Sequence, residues 1–474
     1  MNPFLTELAA ICSPAQIRTG EAALAYHTDE RNRYFTAPLA VALPRSTTEV
    51  AAIVKLCTAH NVALIAQGGN TGVVGGCAVM PQTPTLIVNL SQMCAVRSLD
   101  TVNRTLTIES GATLGSVHEL LAPHGLLFPL TLASQSAATI GGNLATNAGG
   151  TQVLRYGNMR DLCLGLEVVL ADGQVWSGLN TLRKNNTGYD LKNLFIGSEG
   201  TLGIITAAVL KLFPQPGERI TALIATPDLP SVLQAFDAIQ RAFDAQLTAF
   251  EYISPAALAL VCAQFNYTMP FTDAAHTVFL ELSINNEDTA LRRAIEAAFE
   301  SQLAQGIEQG HIIDAVIAQS AKQQQQFWHY REHISAAQKR VGKNIKHDIS
   351  IPISAIAEFT HAANTALAQR FPGIEPMVFG HIGDGNLHFN VSMGQAFAND
   401  TELMHAEPVI NQIVYTCVAK YHGSVSAEHG IGLLKRDLLS QVKSDVEMKL
   451  MRDIKRTFDP QNILNPHKVI ELID

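Results

Sequence analysis

The sequence predicts an α+β protein built from more than one domain, on three observations. The chain has 474 residues, more than one ordinary hydrophobic core accommodates, so two domains and an appended helical segment are expected. From about Ala37 to Phe213, short β-rich runs alternate with glycine clusters and occasional helices. From about Ile220 to Val425, strands and helices alternate without such glycine turns, and Pro214 and Pro216 break the chain between the two patterns. A hydrophobic content of 47% and a charged content of 16% describe a well-packed chain, not a disordered one. The net charge of -9 argues against non-specific nucleic-acid binding or an anionic membrane surface, so an anionic substrate has to be met by locally placed Arg and Lys.

At the N-terminus, residues 1–20 lack a basic leader and Glu7 interrupts their only apolar run, so they do not read as a signal peptide. No segment approaches membrane-spanning length. The seven cysteines are scattered, odd in number and free of any Cys-x-x-Cys pair, which argues against a disulfide framework or a cysteine zinc site and for a reducing, cytoplasm-like compartment. Residues 48–61 carry apolar side chains at helical spacing. Residues 62–69, 85–90 and 104–111 read as strands, and 164–176 as a strand with an Asp-Gly turn. In the second pattern, 219–226, 276–284 and 375–382 read as strands, with helices near 230–244, 288–303, 354–370 and 402–421. The tail at 444–466 is an amphipathic helix ending at Asp459-Pro460.

The densest chemical signal is FGHIGDGNLHFN, from Phe379 to Asn390, together with Glu428-His429 in SAEHGIG. A turn through Gly383-Asp384-Gly385-Asn386 makes the flanks an antiparallel hairpin pairing His381 with His388, so both imidazoles share one face, with Asn390 joining by the period of two. With Glu428 they form a His, His, Glu set suited to zinc or a similar divalent ion, leaving a coordination position open as in catalytic sites. Their setting beside glycines and a further histidine favours the ion over solvated loop histidines.

Three small-residue tracks mark the first pattern: 67–76, 139–150 and 197–206. The first places five glycines after a strand, letting backbone N–H groups approach phosphate oxygens. Neither a G-x-G-x-x-G fingerprint nor a Walker A loop is present. Three tracks together suggest an extended, phosphate-bearing cofactor with a flat ring system lying along the backbone.

The phrases IGGNLATNAGG, LRKNNTGYDLKNLFIGSEGTLGIIT, GHIGDGNLH and EHGIG make the chain resemble flavoproteins of the vanillyl-alcohol-oxidase type, from about Ala37 to Pro466. Within that group it is similar to the D-2-hydroxyglutarate dehydrogenases and their D-lactate and glycolate relatives. The resemblance implies an α+β fold with a two-subdomain FAD-binding domain at 1–217. It also implies a substrate-binding cap domain with an antiparallel sheet and helices at 218–425, and a C-terminal helical segment at 426–474 packing back on the FAD domain. FAD would be bound non-covalently, its diphosphate on Gly68, Gly69, Asn70, Thr71, Gly72 and Gly75. Ser134, Gly141, Gly142, Asn143 and Thr146 would line the ring and ribitol, with Ile205 near the adenosine end. The stretch Leu132-Ala133-Ser134-Gln135-Ser136 departs from the glycine-containing stretch of relatives, which bears on the contacts around Ser134.

Trp328, Arg331 and Ser335 fall at i, i+3 and i+7 on one face of an expected helix. Residues 346–350 alternate as a strand, with Lys346 and Asp348 on one side. An Arg fork and a Lys charge make an anion clamp, and the resemblance assigns Arg331, Ser335 and Lys346 to the substrate, Ser335 standing where relatives carry Thr. A second cationic group suits a distal carboxylate, so the expected reaction is oxidation of D-2-hydroxyglutarate to 2-oxoglutarate by hydride transfer to flavin N5. D-lactate, D-malate or glycolate dehydrogenation is the alternative. His381, His388 and Glu428 would hold the ion against the substrate, His429 would act as base, and Asn390 would bond the proximal carboxylate or hydroxyl. His329, His333, His347 and His422 belong to no such set and are expected to be structural or surface residues. Re-oxidation calls for an acceptor (an electron-transfer flavoprotein, a quinone or a cytochrome), and a homodimer is the expected assembly. A flavin- or zinc-binding subunit without turnover, and a UDP-sugar reductase sharing the FAD domain, are the rival readings; the second has no use for the His, His, Glu set.

Overall fold

The computed structural model describes residues 3–29, 31–81, 83–271, 276–284 and 289–472. The chain divides into two compact units: the first comprises Met1–Gly150, Tyr156–Gln215 and Glu428–Asp474, the second Thr151–Arg155 and Pro216–Ala427.

The first unit holds two principal sheets. The smaller has the strand order Ile17–Arg18, Ala40–Ala42, Thr85–Asn89, Ala63–Gln67, with the last three parallel. Parallel strands need a crossover, and the helix Thr47–His60 supplies it between Ala40–Ala42 and Ala63–Gln67. Ser46 caps that helix by accepting the Glu49 N–H, and Asn61 closes it at a left-handed φ of 51°. The larger sheet is antiparallel, in the order Val96–Asp100, Thr105–Glu109, Ile204–Lys211, Cys163–Val169, Val175–Ser177. Each sheet buries its own apolar cluster, one around Val54, Leu86 and Val88 and the other around Ile108, Leu166 and Ala208. The tail returns to the smaller sheet: Leu64 N–H donates to Ile463 O at 2.7 Å, and Asn465 N–H to Leu64 O at 2.7 Å. The helix Asp445–Phe458 is pinned by Lys455, whose buried Nζ donates to Asp459 at 2.5 Å, Thr201 O at 2.9 Å and Leu464 O at 2.8 Å. Such a helix with one charged face and one apolar face is what the tail's periodicity predicts.

The second unit is one antiparallel sheet of seven strands, in the order 314–317, 218–226, 276–284, 247–253, 375–380, 386–392, 344–350. Alternation gives the sheet two faces. One is apolar and meets the helices Leu229–Phe243, Thr289–Glu308, Ile356–Arg370 and Asp400–Lys420, through pairs such as Phe236–Phe250, Phe359–Phe389 and His347–Tyr415. The expected helix near 288–303 starts on residue 288, outside the described residues. The other face meets the helices Pro255–Phe265, Ala321–Glu332 and Ile334–Val341 around Ile253, Phe279, Tyr330 and Phe379. That second face is polar towards one end, where Glu251, Lys346, Asp348, His388 and Asn390 lie. The fold class is therefore the expected α+β.

Candidate functional site

In the first unit the glycine tracks pack on one another. A Cβ on Gly68 would stand 2.1 Å from Thr139 Oγ1, and one on Gly69 would stand 1.8 Å from the Ala137 carbonyl oxygen, so neither position admits a side chain. Asn70 takes a left-handed φ of 55° and donates Nδ2 to Thr28 O at 2.8 Å. Thr71 is half-buried, and nothing lies within 4 Å of a Cβ on Gly72. Gly75 turns at a φ of 71° beneath the Tyr34 ring. In the second track, Gly141 closes on Ser110 and Thr139 Oγ1 accepts the Gly142 N–H. Thr146 Oγ1 donates to Gly142 O at 3.2 Å, and the Ser134 carbonyl accepts the Ala137 and Ala138 N–H groups of a tight turn. Asn143 is buried, and its Nδ2 has no hydrogen-bond partner among the described residues. Ile205 packs in the apolar cluster with Val168 and Ala208.

The third track meets the EHGIG segment. The Glu199 carboxylate accepts the Ile431 N–H at 2.7 Å and the Gly432 N–H at 2.9 Å. From the other side the Val74 carbonyl accepts the Leu433 and Leu434 N–H groups at 3.0 Å each. Burial pushes the Glu199 carboxyl up to about 7, against the pull of its two N–H donors and of Lys435. Just ahead of this loop, Glu428 Oε1 lies 3.7 Å from His429 Nε2.

In the second unit the polar end of the sheet is organised by Glu251, which is 1% exposed. Arg331 Nε donates to Glu251 Oε2 at 2.6 Å, and His381 Nδ1 meets Glu251 Oε1 at 2.5 Å. Burial alone would raise this carboxyl, but the charges and hydrogen bonds of His381 and Arg331 outweigh it and hold it at about 2. The His381 and His388 rings lie edge to face, 5.7 Å apart. His388 stands opposite Asp348 and Asn390 opposite Lys346 across one strand pair, so all four share a face. Asn390 is buried and donates Nδ2 to Gln338 Oε1 at 2.8 Å, while Gln338 Nε2 reaches Met377 Sδ at 3.4 Å. This orientation commits one amide proton of Asn390 to the protein. The second unit ends at Ala427, whose N–H meets Asp348 O at 3.4 Å, and Glu428 follows one peptide bond later.

Two local expectations are corrected. The hairpin register pairs His388 with Phe379 and Asn390 with Met377, not His388 with His381. Gly380 at a φ of 143° and a 3-10 turn at Ile382–Asp384, closed by Gly385 at 87°, lengthen the connection, so His381 opens the turn instead of ending a strand. The shift is an even number of residues, which keeps His388 and Asn390 on the intended face. Trp328, Arg331 and Ser335 also do not share one helix: the chain breaks at His333, between Ala321–Glu332 and Ile334–Val341. The His333 ring takes the Tyr267 hydroxyl at 2.7 Å and stacks on Phe265 and His329, which holds the break. Trp328 stays with Arg331 on the first helix and donates to Glu281 at 3.2 Å, while Ser335 is exposed on the second. His347 is structural as expected: it is fully buried, with its two ring nitrogens at the Phe389 carbonyl and Asn411.

Residues 38–178 match the FAD binding domain, and residues 215–469 match the C-terminal domain of FAD linked oxidases. The chain belongs to the FAD-linked oxidase family. It is 36% identical over 468 residues to the D-2-hydroxyglutarate dehydrogenase of Stutzerimonas stutzeri (strain A1501), covering 98% of each chain. To the mitochondrial D-2-hydroxyglutarate dehydrogenase of Bos taurus it is 38% identical over 428 residues, covering 90% of this chain and 76% of the relative. Among solved structures, p-cresol methylhydroxylase superposes with a TM-score of 0.77 at 17% identity, covering 99% of this chain and 97% of that one. Alkyldihydroxyacetonephosphate synthase does so with a TM-score of 0.74 at 19% identity, covering 99% and 85%. Those two share the fold of this FAD-linked oxidase.

The protein is an FAD-dependent oxidoreductase. Its residues fit the cofactor: the tracks are pared to backbone where they close, Gly72 stands clear of the rest, and the buried Asn143 amide has a donor to give. Among the described residues, no helix is long and apolar enough to cross a membrane. Sequence reasoning passed over Glu251, Gln338 and Glu199. For Glu251 the available signal is the one charged residue inside the strand Leu247–Ile253, whose other members are apolar apart from Thr248 and the Tyr252 hydroxyl.

Proposed function

We propose that this FAD-linked oxidase is a metal-assisted D-2-hydroxyacid dehydrogenase that converts D-2-hydroxyglutarate to 2-oxoglutarate. The observation that carries the reading is Glu251, which bonds Arg331 and His381 at once. A buried carboxylate on one imidazole nitrogen is the usual support for a histidine that ligates through the other. FAD supplies the acceptor, at N5, for the hydride that leaves C2 of the acid. Gly68, Gly69, Asn70, Thr71, Gly72 and Gly75 would carry its diphosphate, with Ser134, Gly141, Gly142, Asn143 and Thr146 along the ring and ribitol and Ile205 towards the adenosine. His381, His388 and Glu428 would hold a divalent ion, zinc or another borderline metal, whose Lewis acidity eases loss of the alcohol proton.

The rest is the work of side chains. Glu251 occupies the Nε edge of Arg331 and leaves the two Nη groups to grip a substrate carboxylate as a fork. Lys346, on the same face as His388 and Asn390, adds the second positive charge that a dicarboxylate requires. Asn390 offers its remaining amide groups to the proximal carboxylate or hydroxyl, and Ser335 offers its exposed hydroxyl. His429 receives the hydroxyl proton as the C–O bond becomes a carbonyl. The relatives named as D-2-hydroxyglutarate dehydrogenases support the dicarboxylate. The electrons then pass to an electron-transfer flavoprotein, a quinone or a cytochrome. A reducing, cytoplasm-like compartment suits a chain with seven scattered cysteines, and a homodimer is the assembly proposed with it.

The test is anaerobic bleaching of the yellow holoenzyme by D-2-hydroxyglutarate, D-malate, D-lactate and glycolate, before and after chelation. D-2-hydroxyglutarate should bleach it fastest, and chelation should slow that. Preference for D-lactate or glycolate would remove the role given to Lys346, and indifference to chelation would remove the ion.

A further inference from the structure

We infer that Glu199 is the positioning residue of the loop that carries His429: its carboxylate fixes the backbone at 430–432 and thereby aims the imidazole. The inference rests on the reading of His429 as the base. Glu199 is itself immobilised. Its N–H donates to Ala145 O at 2.8 Å, its carbonyl accepts Asn465 Nδ2 at 2.8 Å, and its backbone holds a left-handed φ of 52°. From that fixed base its two carboxylate oxygens take two successive N–H groups, those of Ile431 and Gly432. Gly430 makes the approach feasible, since a Cβ there would stand 2.8 Å from Glu199 Oε1. Gly432 does the same for the opposite side, where a Cβ would stand 2.3 Å from the Val74 carbonyl oxygen.

The loop is thus held at 431–432 by one side chain and at 433–434 by main chain, and Glu199 is the part of this clamp that a substitution removes. A neutral amide does not replace it. Gln has one acceptor oxygen, and its NH2 would face the second N–H, donor against donor. Burial favours the protonated acid and raises the carboxyl to about 7, while the Ile431 and Gly432 N–H groups and Lys435 pull the other way, towards the carboxylate whose two oxygens both accept. A displacement of about 1 Å in a catalytic group costs up to about a hundredfold in rate, so slack in this loop would be felt at His429, the residue before Gly430.

The test uses the FAD-loaded protein with Glu199→Gln, alone and combined with His429→Ala. It reads kcat, KM for D-2-hydroxyglutarate, flavin absorbance, and amide hydrogen exchange at 430–434. Glu199→Gln should keep its flavin and its KM, lose about ten- to a hundredfold in kcat, and exchange faster at Ile431 and Gly432. On the His429→Ala background it should cost nothing further in kcat. Unchanged exchange at Ile431 and Gly432 overturns the inference, as does a loss of kcat that persists in the double variant or accompanies loss of flavin. If His429→Ala is itself fully active, the base reading fails, and the exchange rates still decide whether Glu199 holds the loop.

Discussion

Replacing Glu251 by Gln should separate ion binding from folding. The carboxylate now accepts from Arg331 at 2.6 Å and from His381 Nδ1 at 2.5 Å, and it is almost fully buried. The substituted side chain would have one oxygen and one NH2. The permanent donor, Arg331 Nε–H, claims the oxygen, so the NH2 faces His381 Nδ1. An imidazole that accepts at Nδ1 carries its proton on Nε2, the nitrogen that would otherwise ligate. Loss of such a supporting carboxylate costs about 10–100-fold in metal affinity, or about 1.4–2.7 kcal/mol. Arg331 keeps an acceptor but loses its counter-charge, which should raise KM for D-2-hydroxyglutarate through a looser fork. Zinc affinity is measured by competition with a chromophoric chelator at pH 7, flavin absorbance reports the first unit, and urea unfolding reports stability. A variant that binds zinc as tightly as the parent, with its flavin and fold intact, would refute the claim that Glu251 sets the His381 tautomer.

Gly69→Ala should abolish flavin retention, since its Cβ would lie 1.8 Å from the Ala137 carbonyl and must part the two tracks; a protein that purifies yellow would contradict this. Glu199 gives a pH signature in stability. Its carboxyl rises from 4.5 to about 7 on folding, so its favourable contribution is complete below about 4.5 and is lost as pH climbs through 7. The rise corresponds to about 3 kcal/mol. The difference in urea midpoint between the parent and Glu199→Gln should therefore grow between pH 4.5 and 7, in the variant's favour, and parallel curves would disprove it.

Elements with a period of their own were legible in the sequence. The helix Thr47–His60 shows its apolar spacing, and the strand Asn344–Ser350 shows the alternation that puts Lys346 and Asp348 on one side. The FGHIGDGN hairpin was legible in parity but not in register. Period two assigns His388 and Asn390 to a face, whereas register depends on the positive φ of Gly380 and Gly385, which no spacing reveals. The break at His333 was hidden for a related reason. Apolar periodicity runs straight through it, and the hydroxyl that meets the His333 ring there comes from Tyr267, far back in the chain.

The same distance in sequence hid the organisers of the site. Arg331 and His381 lie 80 and 130 residues from Glu251, and Ile431 lies 232 residues from Glu199. Motif reading finds groups able to touch a ligand, because those cluster with glycines and with one another. It passes over the carboxylates behind them, which sit singly in strands and loops. Yet it is the pairing that gives Arg331 a purpose beyond packing. An arginine buried against Phe379 with its Nε edge taken by a carboxylate has only its Nη edge to offer. A histidine bound through Nδ1 has only Nε2. One glutamate therefore turns a cation and an imidazole to the same task, and a substitution at Glu251 should disturb acid and ion binding together where one at Arg331 disturbs the acid alone.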